Sequence, residues 1–198
     1  MPPEHFGAII DACDVATQPA NLPYPAPDWW RGLLVTAYMT GWRIGETLEL
    51  WRADVDLTAC TAKLRAEATK GKRDDVVKLH DVVIDELRGL ASFHKQMFPW
   101  SKSRKTLYTQ FHRIQIAAGI HLPCSRDHNH TPSCHMYGFH DERRAFATLN
   151  AGQMSGDALQ KLMRHKSYTT TQKYINMSKQ VNDAVDSLFV PDALRRRK

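Results

Sequence analysis

Thr40-Gly41-Trp42-Arg43-Ile44-Gly45-Glu46 is the stretch that decides how this chain folds. Ahead of it, Trp29, Trp30, Leu33, Leu34, Ala37 and Tyr38 form a broad apolar face at helical spacing, with Asp28 placed to cap the helix start. Gly41 ends that helix, and a short one restarts near Arg43 and runs through Glu46, Leu48 and Leu50 to about Trp51. A glycine-broken junction of this kind turns Arg43 outward. A guanidinium there suits a phosphate, because its planar fork offers paired donors and stays charged at any relevant pH. Glu46 is expected to pair with a cation or to cap locally.

Working outward, Phe6, Ile9, Ile10, Cys13 and Val15 give a helix over about Glu4 to Ala16, and four prolines between Gln18 and Pro27 make an irregular connection. Downstream, Val55 to Leu57, Thr61 to Arg65 and Val76 to Leu79 alternate or are β-branched, which predicts three short antiparallel strands. The last turn, Lys70 to Asp75, presents Lys70, Lys72 and Arg73. Helical spacing then returns over about Asp81 to Phe98 and about Lys102 to Ala118, followed by a loop rich in His, Cys and Pro from His121 to Gly138. Three helical pieces follow, at about His140 to Ala151, about Gly156 to Met163, and Thr169 to Leu188 with a break near its middle. The pattern is α+β and mainly α, one domain over residues 1–198 with a small three-stranded antiparallel sheet, the loop at 121–138, and a C-terminal helix and basic tail at 178–198.

A chain of 198 residues is long enough for a well-buried core, and 42% hydrophobic content excludes disorder. Its formal charge of +6 suits a polyanionic partner without identifying one, since solvated basic surfaces are common. No run reaches the roughly 18 apolar residues that span a bilayer, and Met1-Pro2-Pro3-Glu4-His5 lacks a charged-then-apolar leader pattern. A cytoplasmic protein without a membrane partner is therefore expected. Cys13 and Cys60 stand alone, unlike the dense spacing of a secreted disulfide scaffold. In the loop, Cys124, His128, His130 and Cys134, with His135 beside them, are enough donors for a structural zinc ion, although the spacing is not that of a standard finger. Reduced thiols and exposed imidazoles are the plainer alternative.

Three further phrases carry candidate chemistry. Thr69-Lys70-Gly71-Lys72 places a flexible lysine at the sheet turn, where it can reach into a cleft and donate a proton; Lys72 is the alternative in the same turn. His140-Asp141-Glu142-Arg143 sets a histidine and an arginine three apart on one helix face. Met163-Arg164-His165-Lys166 is followed by Thr171-Gln172-Lys173-Tyr174, a histidine at a helix end and a tyrosine one short helix later. Singly, each is weak: a lone tyrosine is most often a partly buried aromatic and a lone histidine a cap or core residue.

In this order they resemble the signature of the tyrosine recombinases, the phage-integrase family: Thr-Gly-x-Arg-x-Gly-Glu, a hairpin lysine, His-x-x-Arg, then a histidine and a tyrosine. The resemblance runs from about Asp28 to Tyr174. It departs from the family at Arg164, where glycine commonly precedes the second histidine, and at Met177, where many members have histidine. Neither departure removes a catalytic group.

The resemblance implies a catalytic-domain-like helical fold and a site-specific recombinase or integrase acting on double-stranded DNA. In it Arg43 and Arg143 clamp the non-bridging phosphate oxygens, and His140 and His165 hydrogen-bond the phosphate. Tyr174 attacks to form a 3′-phosphotyrosyl link, and Lys70 protonates the leaving 5′ oxygen. No cofactor is required for this catalysis. Family members carry a further N-terminal core-binding domain, which the short segment before the motifs does not supply, so a truncated chain is expected. It would be a monomer alone and part of a tetrameric synaptic complex on DNA at full length. A type IB topoisomerase-like activity and a non-catalytic DNA-binding module are the alternatives.

Overall fold

The computed structural model describes residues 1–65, 75–125, 127 and 129–176. Helix α2 (Ala26–Thr40) is enclosed on nearly every side, with Trp29, Trp30, Leu33 and Leu34 all fully buried. A helix apolar around most of its circumference has to lie at the centre of its domain. It starts before the expected Asp28 cap: Pro25 is the N-cap and Pro27 lies in the first turn, where a fixed φ and a missing N–H cost nothing. Asp28 instead places its charge in that first turn, favourably towards the helix dipole.

Around α2 pack α1 (Pro3–Asp11), which runs on into a 3-10 turn at Ala12–Val15, then α4 (Asp81–Gly89) and α5 (Arg104–Ala117). Val83, Ile84 and Leu87 of α4 and Leu107, Phe111 and Ile114 of α5 are buried at apolar helical spacing. Phe111 stacks on Phe139 with ring centroids 4.5 Å apart, tying α5 to the start of α6 (Phe139–Asn150). Each such side chain contributes about 1.5–3 kcal/mol by leaving water.

The sheet is the expected three-stranded antiparallel one, β1 (Val55–Asp56), β2 (Thr61–Leu64) and β3 (Asp75–Lys78), in sequence order. Ala62 faces Val77 and both are buried, while their neighbours Lys63 and Val76 pair on the exposed side. This alternation fixes the register, because a one-residue slip would exchange the faces. The turn carrying Lys70, Lys72 and Arg73 lies outside the described residues.

The expected helix over Asp81 to Phe98 is half as long. It stops at Gly89, and the chain then turns back against the segment after α3 (Ile44–Leu48): Met97 N–H donates to Leu50 O at 2.7 Å and Arg52 N–H to Lys95 O at 2.9 Å. Those backbone bonds, and the burial of Met97 and Phe98, outweigh the helical spacing of the same residues. Helix α3 likewise ends at Leu48, short of Trp51, which forms a β-bridge with Gln96.

The chain divides into two compact units, Met1–Phe146 and Ala147–Lys198, the second described as far as residue 176. In the second, α7 (Gly156–Met163) is capped by Ser155, whose hydroxyl accepts the Ala158 N–H at 3.2 Å. A last helix, α8, begins at residue 168 and is described to residue 176, so the rest of the expected helix to Leu188 and the basic tail lie outside the described residues. No helix among the described residues is long and apolar enough to cross a membrane.

Candidate active site

The Thr40–Glu46 junction is built almost entirely from local bonds. The Thr40 hydroxyl donates to Thr36 O at 2.6 Å and accepts the Trp42 N–H at 3.2 Å, closing the end of α2. Gly41 follows in the left-handed region (φ 66°), which a residue with a Cβ adopts only at a cost of about 1 kcal/mol. Arg43 is then extended at the start of α3, and Glu46, buried to 3% exposure, holds it twice. Its carboxylate accepts the Arg43 backbone N–H at 2.8 Å and the guanidinium at 3.2 Å. Glu46 thus caps the helix and pairs with the arginine at once.

Arg143 reaches the same junction from α6, donating through Nη1 to Gly41 O at 2.6 Å. Arg43, Arg143 and His140 line one cleft of about 440 Å³, with Ile44, Gly45, Glu46, Arg104, Tyr108 and Phe139. Partial loss of hydration, then the charges of Arg144 and Arg143, push the His140 imidazole below its ordinary pKa; Asp141 opposes this and Arg43 adds to it. The cleft therefore disfavours the charged form of this histidine and gathers cations around it, an environment completed by an anion.

Between His140 and Arg143, Glu142 is 1% exposed, and neither carboxylate oxygen has a hydrogen-bond partner among the described residues. Burial, then the charge of Asp141, raises its pKa well above the usual carboxylate value. The folded protein keeps this proton where the unfolded chain releases it, so Glu142 costs stability increasingly as pH rises from the unfolded carboxylate pKa towards the raised folded one. Glu142→Gln is expected to raise Tm by about 2–4 °C or more near pH 8 and to leave it nearly unchanged near pH 4, as read by thermal unfolding at both. Equal shifts at both pH values would count against a buried protonated acid.

In the second unit His165 and Tyr174 stack, with ring centroids 6.1 Å apart and planes 11° apart. His165 Nδ1 lies 2.9 Å from the hydroxyl of Thr171, which is fully buried. Thr171 and Tyr174 are three apart on α8, so one helix face carries the tyrosine and the group that orients the histidine. Arg164, immediately before, closes α7 in the left-handed region (φ 52°). This is the position where the family resemblance leads one to expect glycine, and the backbone conformation is the physical reason for that preference.

A model described as the phage integrase family matches residues 3–181. The chain belongs to the phage integrase family. Among solved structures, the catalytic domain of bacteriophage HP1 integrase is similar at 18% identity and a TM-score of 0.62, over 100% of this chain and 98% of that one. XerA recombinase matches at 18% and 0.63, over 96% of this chain and 64% of that one. XerH site-specific recombinase bound to palindromic difH substrate matches at 22% and 0.66, over 95% and 52%. The chain thus spans about half to two thirds of the Xer chains it matches. At these identities the likeness is one of fold, and the mainly helical architecture with a small sheet is that of the integrase catalytic domain. Comparison with curated protein sequences gives no significant match.

Of the residues expected to form the integrase-family site, Arg43, His140 and Arg143 share the cleft of the first unit, and His165 and Tyr174 stack in the second. Lys70 and Lys72 lie outside the described residues. Arg104 and Tyr108 of α5 also line the cleft, and sequence reasoning passed them over. A Cβ on Gly45 would meet Arg104 Nη2 at 3.0 Å, so the second glycine of Thr-Gly-x-Arg-x-Gly-Glu leaves room for a further guanidinium. In the 121–138 loop, Cys124, His130 and Cys134 bring ligand atoms within 4.8 Å of one another, while His128 lies outside the described residues. None of the four cysteines is in a disulfide.

Proposed function

We propose that this chain is the catalytic part of a site-specific recombinase that cuts and rejoins double-stranded DNA through a 3′-phosphotyrosyl link to Tyr174. The observation that carries the reading is the cationic cleft in which Arg43, Arg143 and His140 converge. A phosphodiester under attack gains charge on its non-bridging oxygens, and preorganised guanidinium groups stabilise that charge where water is excluded. Arg43 and Arg143 fill this role, with His140 and His165 as hydrogen-bonding partners of the phosphate. Tyr174 Oη attacks phosphorus, its proton passing to the stacked His165, while the bond from phosphorus to the 5′ oxygen breaks and Lys70 delivers a proton to that oxygen. The phosphotyrosyl ester conserves the bond, so a second 5′-hydroxyl reverses the step without ATP. Since the arginines supply the positive charge, this chemistry requires no cofactor.

Strand exchange needs two duplexes side by side, which favours a tetrameric synaptic complex for the full-length protein and a monomer for this chain alone. Such a protein would work in the cytoplasm on the nucleoid. The test needs no knowledge of the target site. The protein is incubated with fragmented genomic DNA of its source, denatured, digested with nuclease and protease, and analysed by mass spectrometry. The peptide containing Tyr174 is expected to carry a nucleotide through its 3′-phosphate; a nucleotide on another residue would reassign the nucleophile, and none on any peptide would overturn the reading.

Arg104 extends the phosphate-binding surface of the same cleft. Arg104→Ala is expected to weaken DNA binding by about 3–10-fold and to lower the slope of log affinity against log salt by about 0.9, the value for one lost phosphate contact. An unchanged slope in titrations at several salt concentrations would remove Arg104 from the DNA interface.

A further inference from the structure

We propose that the loop between α5 and α6 holds a structural zinc ion through Cys124, His130 and Cys134. The three donors are spread over a surface loop whose described residues include one 3-10 turn (Pro132–His135), yet their ligand atoms lie within 4.8 Å of one another. Around a tetrahedral zinc with bonds of about 2.0–2.3 Å, such atoms stand ~3.3–3.8 Å apart, so closing on the ion takes a shift of about 1 Å. Two thiolates and an imidazole are soft to intermediate donors, which select zinc over magnesium or calcium. One tetrahedral position remains for a further ligand.

Two other features favour a metal at this place. The Thr131 N–H donates to Cys134 Sγ at 3.4 Å, and the Thr131 hydroxyl lies 3.6 Å from the same sulfur. Hydrogen bonds of this kind stabilise a thiolate and orient a first-shell ligand. The base of the loop is also already closed: Leu122 N–H donates to His135 O at 2.8 Å, and His135 Nδ1 lies 2.7 Å from Leu122 O. The three donors thus sit inside a closed chain segment, and an ion there replaces the apolar core that so short a segment cannot build.

The ion would act on the catalytic helix by position. Near the end of the loop, Tyr137 is locked to α5, its N–H donating to Gln115 Oε1 at 2.7 Å and its carbonyl accepting from Gln115 Nε2 at 3.0 Å. Helix α6, with His140 and Arg143, starts two residues later. Ordering the loop fixes the direction from which the chain enters that helix. With two thiolates the site is neutral overall, so it orders the loop without adding charge to the phosphate cleft.

The test uses the full chain without a histidine tag. Metal analysis is expected to find about one zinc per chain, and the cobalt-substituted protein to show a thiolate-to-cobalt charge-transfer band and tetrahedral ligand-field bands. Cys124→Ser and Cys134→Ser should each weaken zinc binding at least about tenfold and weaken the charge-transfer band. Removal of zinc with a chelator should lower Tm by about 5 °C or more, reversed by zinc and not by magnesium. Zinc below about one ion per ten chains after refolding with zinc, a disulfide between Cys124 and Cys134, or unchanged zinc affinity in both serine variants would each overturn the proposal. Should a serine variant precipitate, the cobalt spectrum of the unsubstituted protein decides alone. None of these measurements uses DNA, so their failure leaves the recombinase reading standing, and the converse holds.

Discussion

Tyr174→Phe is expected to reduce covalent protein–DNA adduct to background, a loss of at least about 10³-fold, while DNA affinity stays within about threefold. The substitution removes one oxygen and little else. The ring that stacks with His165 at 6.1 Å remains, and phenylalanine fills the same partly buried place on α8. Binding rests on cations paired with phosphates, and those are untouched. What disappears is the oxygen proposed to form the phosphotyrosyl bond. Gel-shift titration and denaturing electrophoresis on one preparation read the two quantities separately. An adduct persisting in the phenylalanine variant would move the nucleophile elsewhere, and a parallel collapse of binding would mean that Tyr174 holds DNA instead of attacking it.

The local geometry expected from sequence was most legible where the bonds that shape it are short-range. The bonds to the Arg43 backbone come from Glu46 and Thr47, so Thr-Gly-x-Arg-x-Gly-Glu states most of its own geometry: a capping hydroxyl, a left-handed glycine, an extended arginine, a carboxylate reaching back. Helix α7 was legible to the residue, because Ser155 caps it and the chain turns at Arg164. The segment after Gly89 was not, because its course is set by Leu50 and Arg52, more than forty residues earlier. Arg104 escaped notice for the same reason: its place in the cleft depends on the missing side chain of Gly45 on another helix. Thr171 reads as an ordinary small polar residue until its hydroxyl is seen 2.9 Å from His165. In the loop, the sequence supplies the zinc donors but not their spacing in space, which comes from the closure between Leu122 and His135.

Arg143 carries the second large effect, because in the proposed mechanism one guanidinium serves both the fold and the phosphate. It is 3% exposed and donates to the buried Gly41 carbonyl at 2.6 Å, and it also lines the cleft proposed to take the phosphate. Arg143→Ala leaves that carbonyl short of a donor, a cost of about 1–3 kcal/mol, and should lower Tm by about 3–10 °C. Arg143→Lys keeps the charge and loses the fork, so it cannot serve Gly41 and two phosphate oxygens together. Measured well below either Tm, the rate of adduct formation should fall about 10²–10³-fold in the lysine variant and further in the alanine variant. Added guanidinium salt at millimolar concentration should restore part of the alanine variant's rate without restoring its Tm, since a free cation can enter the cleft but is not tethered to α6. Rescue of rate alone separates the charge that acts on phosphate from the bond that holds the junction; a lysine variant with an undiminished rate would show that paired donation by Arg143 has no part in the chemistry.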